Sequence, residues 1–316
     1  MTMLAYLARR VAQTIPTLLL VALAVFALLR LIPGDPAQLM LGDGADAESL
    51  ARLRDQMGLT GSLPAQFMHW LSAVLRGDFG HSLSDGQPVL PVILERFQVS
   101  ATIVVAAVAI AVCAAVPAGL VAAWKQNKAL DVGIVMTATL LLSIPSFWLG
   151  MLLLLWFGLH LNWLPVVGYV ALRDDFSQGI LYVILPIATL AMVETGVFTR
   201  MARASAIEVL RLEYVAHARA KGVPEAGVLR RHVLPNAFAP TLTLIGLMLG
   251  NLLGGIAVLE TVFTLPGLGR HLVDAIFARD YPVIQGCLLF TAFIYVCVNL
   301  VVDLCYPLFD PRVTAQ

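Results

Sequence analysis

Charge is scarce in this chain. Of its 316 residues only 13% are Asp, Glu, Lys or Arg, while 59% are hydrophobic, and a soluble domain runs nearer a quarter charged. That balance excludes an ordinary soluble domain. Twenty basic residues against twenty acidic ones leave no net charge, so nothing in the composition attracts nucleic acid. Cysteine is sparse too. Cys113, Cys287, Cys297 and Cys305 all lie inside apolar runs and have no CxxC spacing, which argues against disulfides and a metal centre and reads them as small packing residues. Also missing are a GxxxxGK[ST] phosphate loop, an HExxH zinc helix and a serine nucleophile elbow. The chain is therefore expected to bind no metal and no cofactor, to catalyse nothing, and to hydrolyse no ATP itself.

Long apolar runs are abundant. Six reach the roughly 20 residues that a membrane-crossing helix needs: 11–32, 101–124, 132–158, 179–198, 238–259 and 282–305. The first follows Arg9 and Arg10 as a signal peptide would, but it is too long and no small-x-small cleavage site follows it, so it reads as a retained span. With the N-terminus inside and six spans alternating, twelve basic residues fall on the cytoplasmic side and seven outside, with Arg30 at a helix end. That bias puts both termini in the cytoplasm. The expected fold is all-α and polytopic: a first span (1–32), an external segment (33–100) and a five-helix core (101–316).

The external segment contains two helical patterns, 47–57 and 64–75, the second presenting Phe67, Trp70, Leu71 and Val74 on one face. At that length it reads as a small folded cap, serving as a spacer, a platform for an external partner or a lid. The third apolar run is interrupted by Ser143-Ile-Pro-Ser-Phe-Trp148. Pro145 is expected to kink it, and Ser143, Pro145 and Phe147 are candidates for a pathway or gate. Gly246, Gly250 and Gly254 share one helix face, which favours close packing against another helix. Gly250, Asn251 and Gly254 are the second set of pathway candidates. Glu194 and Asp303 lie at membrane depth near the inner interface, where bonding a neighbouring helix or reaching the headgroups is expected, and a proton relay is the alternative.

Between the fourth and fifth runs lies a charged, helix-prone island, 200–236. Helix is expected to continue from the fourth span through the alanine-rich stretch to Ala220. Gly222 should stop it, with Arg219 and Lys221 at the negative end of the helix dipole. A second helix should start at Val223-Pro224-Glu225 and end at Leu234-Pro235.

This island resembles the EAA loop of bacterial ABC-type importer permeases, whose pattern is Glu-Ala-Ala, three residues, Gly, nine residues, Ile, one residue, Leu-Pro. Ala216 is taken as the last alanine, Gly222 as the glycine and Leu234-Pro235 as the Leu-Pro, with Tyr214, Val215 and His232 as departures. Tyr-Val followed by Ala-Arg-Ala-Lys-Gly is similar to the dipeptide/oligopeptide/nickel subfamily. So are Leu31-Ile-Pro-Gly-Asp-Pro36, Gly77-Asp-Phe-Gly80, Ser143-Ile-Pro-Ser-Phe-Trp148, Glu260-Thr-Val-Phe263, Pro266-Gly-Leu-Gly-Arg270, Ala278 through Gln285 and Asp310-Pro-Arg312, in the order of its "B"-type permease.

The resemblance implies a bacterial inner-membrane permease paired with a second, homologous "C"-type permease. Two ATP-binding subunits, carrying ATP and Mg, would dock on the cytoplasmic side, and an external solute-binding protein would deliver short peptides. Glu213, Tyr214, Ala216, Arg219, Lys221, Gly222, Pro224, Leu234 and Pro235 would then form or position the ATPase contact. Nickel, a metal chelate or glutathione would use the same machinery. A proton-coupled secondary transporter is the competing class, but such transporters commonly carry internal repeats and none is evident here.

Overall fold

The computed structural model describes residues 3–31, 36–41, 46–56 and 60–309. The terminal Asp310-Pro-Arg312 and most of the Leu31–Pro36 motif lie outside them. The described residues form helices, with one isolated antiparallel bridge between His81 and Pro88. In order these are α1 (Met3–Leu31), α2 (Pro36–Leu41), α3 (Ala47–Gln56), α4 (Leu63–Leu75), α5 (Val89–Trp124), α6 (Ala129–Ser143) and α7 (Ser146–Leu153), which runs into π-helix at Leu154–His160. Then follow α8 (Phe176–Leu210), α9 (Glu213–Ala220) and α10 (Glu225–Val228), which widens to π-helix at Leu229–Val233. The chain closes with α11 (Leu234–Gly255), α12 (Ala257–Val262), α13 (Leu268–Ala278) and α14 (Tyr281–Phe309).

Five stretches are long and apolar enough to cross a membrane: Arg10–Leu28, Val89–Trp124, Phe176–Leu210, Glu225–Gly254 and Tyr281–Cys305. The sixth expected span differs from a kinked helix. Its two halves meet at 94°, a full break. Ile144 and Pro145 are both extended (ψ 123° and 132°), so α6 stops at Ser143 and α7 starts afresh. Proline has no N–H to continue the ladder and drives the preceding residue out of helical geometry.

The core is built on the pair α5 and α8. Ile103, Ala107, Ala111 and Ala115 are fully buried at four-residue spacing along α5, and Gly119 continues the stripe. A Cβ there would sit 2.7 Å from the Ala202 side chain and 2.8 Å from the Arg203 nitrogen. With no apolar force between helices in lipid, small side chains that let backbones approach supply the attraction. The α11 glycines do the same work against α14: a Cβ at Gly246 would strike Val302, one at Gly250 would strike the Tyr295 ring, and one at Gly254 would press on Thr291.

Helices α3 and α4 form where the helical patterns predict them. Phe67 and Trp70 of α4 stack around Phe26 of α1, with centroids 5.3 and 5.9 Å away. Farther along, buried Asp280 accepts from the Ser82 hydroxyl at 2.6 Å and the Ser84 amide at 3.2 Å, tying the loop before α5 to the α13–α14 turn.

Several of the motif glycines and acids acquire a physical reason here. Glu260 of α12 is fully buried; its carboxylate accepts from the Ser100 hydroxyl of α5 at 2.5 Å and from the Arg270 amide at 2.8 Å. It thus caps the N-terminus of α13, where orphan amides favour a negative charge. Burial nevertheless pushes its pKa up, while those hydrogen bonds pull it down. Gly267 must be glycine because a Cβ would collide with that carboxylate.

Candidate functional site

The polar island folds as a compact hairpin, although its stem is not the continuous helix its alanine content suggests. α8 ends at Leu210, Arg211 and Leu212 turn the chain, and α9 begins at Glu213. Helix propensity is a weak prior, and packing decides otherwise. Val215 and Ala218 of α9, Val228 and Val233 of the returning helical arm, and Ala206 and Val209 of α8 are buried together with Ala123 and Ala237. The turn at Arg211 lets α9 fold back onto this cluster. The hairpin's stiffness comes from that small core.

Gly222 closes α9 with a left-handed residue at φ +80°. Its amide donates to the Arg219 carbonyl at 2.9 Å and the Val223 amide to the Ala218 carbonyl at 3.2 Å, the paired bonds of a Schellman end. Arg219 reaches across the turn to Glu225 with two hydrogen bonds, 2.8 and 3.2 Å. Both side chains are more than a third exposed, so the pair fixes geometry more than it adds stability.

The return arm also departs from expectation. The helix does not end at Leu234-Pro235 but passes through them into α11 by way of the π-helical turn at Leu229–Val233. Proline at 235 cannot donate to the carbonyl four residues back and its ring crowds it; widening the helix by one residue admits the ring. The His232 carbonyl then accepts from the Tyr214 hydroxyl at 3.1 Å and the Asn236 side-chain amide at 2.9 Å. Tyr214 therefore clasps the two arms together. Partial burial raises its phenol pKa, so the hydroxyl stays a donor at neutral pH. Tyr214→Phe should cost about 1 kcal/mol of hairpin stability, the usual net value of one hydrogen bond. Hydrogen exchange should quicken across 228–237, and unchanged protection there would remove the clasp from the account.

Of the nine residues predicted for this surface, Glu213, Tyr214, Ala216, Arg219, Lys221, Gly222, Pro224 and Pro235 are exposed, and Leu234 is half-buried. One motif assignment needs correcting. Three residues between the last alanine and the glycine set Ala218, not Ala216, in the alanine position. The burial agrees, since Ala218 is packed in the hairpin core while Ala216 faces out. Ala216 and His217 then replace Glu-Ala.

Sequence reasoning missed the brace beside the hairpin. Asp131, in the first turn of α6, is buried and accepts from Arg203 of α8 at 2.6 Å (Nε) and 2.8 Å (Nη2), and from the Asn127 amide at 2.9 Å. This bidentate pair joins the α5–α6 turn to α8 two turns before the hairpin. An acid and an arginine bordering apolar runs were the only signal; their pairing across 72 residues was not readable.

The pathway candidates lie on two elements, the α6–α7 corner and α11. Ser143, Pro145 and Phe147 are exposed at the 94° corner. Gly250 and Gly254 face α14, as the packing reading expects, and Asn251 beside them is exposed. Asp303 pairs with Arg10 of α1 at 3.0 Å, a neighbouring-helix bond. Glu194 is buried in α8, and its Oε2 has no hydrogen-bond partner among the described residues.

A family model described as "Binding-protein-dependent transport system inner membrane component" matches residues 115–315, and a companion model for the N-terminal part of such components matches 3–106. A putative peptide transport system permease protein of Brucella suis is 42% identical over 311 residues, covering 98% of this chain and 99% of its own. A probable peptide ABC transporter permease protein of Sinorhizobium fredii is 39% identical over 308 residues, 98% of each chain. A glutathione transport system permease protein of Salmonella typhimurium is 42% identical over 312 residues, 98% of this chain and 99% of its own. A crystal structure of an amino acid ABC transporter with histidines aligns with TM-score 0.48 and 18% identity, over 77% of this chain and 98% of that one.

Proposed function

The chain belongs to the inner membrane component family of binding-protein-dependent transport systems and is an ABC transporter permease subunit; from that premise we propose that it imports short peptides across a bacterial inner membrane. It does so beside a second, homologous permease and two ATP-binding subunits, with peptide handed over by an extracytoplasmic solute-binding protein. Both termini face the cytoplasm. ATP and Mg stay on the partner subunits, and this chain is non-catalytic. The chain divides into a first span (1–32), an external segment (33–100) and a permease core (101–316) whose coupling loop is 200–236.

The carrying observation is the hairpin. Its exposed face, Glu213 to Pro224, is mounted on a dry core continuous with α8 and α11, so a push on it moves spanning helices instead of a loose linker. The proton-driven alternative loses Asp303, which is engaged with Arg10. Glutathione is the second substrate reading, because the Salmonella relative so named is as similar as the peptide permease of Brucella. Mass spectrometry of the ligand carried by the cognate binding protein separates the two. Uptake of labelled short peptides should stop on deletion of this chain and on ATP depletion with the proton gradient kept; uptake surviving ATP depletion would overturn the ATP-driven reading.

A further inference from the structure

A cavity of about 700 Å³ opens between the start of α5, the 169–174 segment ahead of α8, and Pro266 ahead of α13. That volume lies within the roughly 300–1,000 Å³ of small-ligand sites. Its walls are mixed: Phe97, Val99, Ala101, Val170, Leu172 and Pro266 are apolar, while charges of both signs stand beside them. With the termini inside, this is the outer mouth of the permease.

The two arginines of the cavity are not equivalent. Arg173 is mostly exposed and already has acids beside it, Asp174 at 3.4 Å and Glu95 at 4.0 Å. Arg96 is half-buried, and its Nε is buried with no hydrogen-bond partner among the described residues. No carboxylate among those residues comes within ion-pair distance of it. Its charge is felt inside the protein: burial first, and Arg96 second, hold the His271 pKa below its usual value. An Nε kept from water with an unmet donor is costly, and the half-buried Arg96 also lines the cavity, where a carboxylate matches the planar fork of a guanidinium.

We propose that this cavity is a substrate subsite in which Arg96 receives the C-terminal carboxylate of a short peptide as it leaves the binding protein. Glu95 and Asp174 face the peptide's ammonium group, and the apolar wall accepts its side chains without choosing among them. An acid on the surface of the binding protein is the rival occupant, but a concave, partly apolar cavity bearing both charges suits a small zwitterion better than a convex protein surface. The inference rests on the peptide-import reading.

The test uses the complete transporter, with both permeases and both ATPases, reconstituted in proteoliposomes with its binding protein. Probes are di- to pentaalanine as free acids and as C-terminal amides. The binding protein has its own preference for acids, so the informative quantity is how that preference changes between wild type and Arg96→Gln. Loss of a charge-assisted pair should reduce it about tenfold, through a higher KM for acids and little change for amides. Arg96→Lys should restore part of it, and both variants should assemble with the partner subunits as the wild type does. An unchanged acid-to-amide preference in Arg96→Gln overturns the subsite while leaving peptide import intact. Equal loss for acids and amides, with weaker docking of the binding protein, assigns Arg96 to the protein contact and also overturns it. If the wild type imports no peptide of either series, the import reading falls and the subsite with it.

Discussion

Gly222→Val is expected to abolish ATP-driven uptake while the subunit remains inserted and assembled. The residue sits at φ +80°, where a β-branched side chain is strained; left-handed backbone costs an L-residue about 1–2 kcal/mol. A Cβ there would meet nothing within 4 Å in this chain, so the substitution creates no internal clash. The damage is confined to the turn that aims α9 and to whatever seats against it. Because the turn is the exposed tip of the hairpin, a changed turn changes the face that the proposed coupling role would offer to an ATP-binding subunit. Gly222→Asn is the control, since asparagine tolerates left-handed backbone and should keep most of the transport. Uptake assays beside measured membrane levels decide the matter. Full uptake by the valine variant would sink the coupling role of this turn.

Asp131→Ala should destabilise the fold more than Tyr214→Phe or Gly222→Val, and should depress transport well beyond its effect on expression. It strands the Arg203 guanidinium at the foot of α8 and leaves the Asn127 amide without its acceptor. Removing one partner of a buried pair costs about 3–5 kcal/mol, and the lower figure applies because Arg203 remains a quarter exposed. Thermal unfolding in detergent should show the loss. The double variant Asp131→Leu with Arg203→Met should recover much of the stability, as apolar replacements of buried pairs commonly do. If the brace also carries motion from the hairpin into α6, that stable double variant will still couple ATP hydrolysis to uptake poorly. Normal coupling in the double variant would reduce the pair to a structural contact.

Much of the architecture was legible because hydropathy and helix punctuation are properties of neighbouring residues. The spans at α5, α8, α11 and α14, the amphipathic α4 and the stop at Gly222 follow from runs, periodicity and glycine. The glycine stripe of α11 announced a packing seam, although only the structure names Val302, Tyr295 and Thr291 as its other side. Where local signals failed, a distant partner had outbid them. The alanines after residue 201 favour unbroken helix, yet α9 folds back because Val215 and Ala218 find Val228 and Val233 across the hairpin. Pro235 looked like a terminus and proved to be a widened turn, since α11 and Tyr214 hold the backbone on both sides.

The chain's own order of residues therefore determined that this is a multi-span membrane protein with one exposed helical hairpin between its fourth and fifth runs. Both facts rest on short-range energetics: the cost of bare backbone in lipid and the conformational freedom of glycine. Tertiary structure alone decided the 94° break and which charges pair. Asp131 with Arg203, Glu260 with Ser100 and the cap of α13, Ser82 with Asp280 and Arg10 with Asp303 are all joined across long sequence separations. It also decided that the Nε of Arg96 is buried without an acceptor among the described residues. Partner choice for a buried charge depends on which helices pack side by side, and that is settled only when every apolar face competes for burial at once.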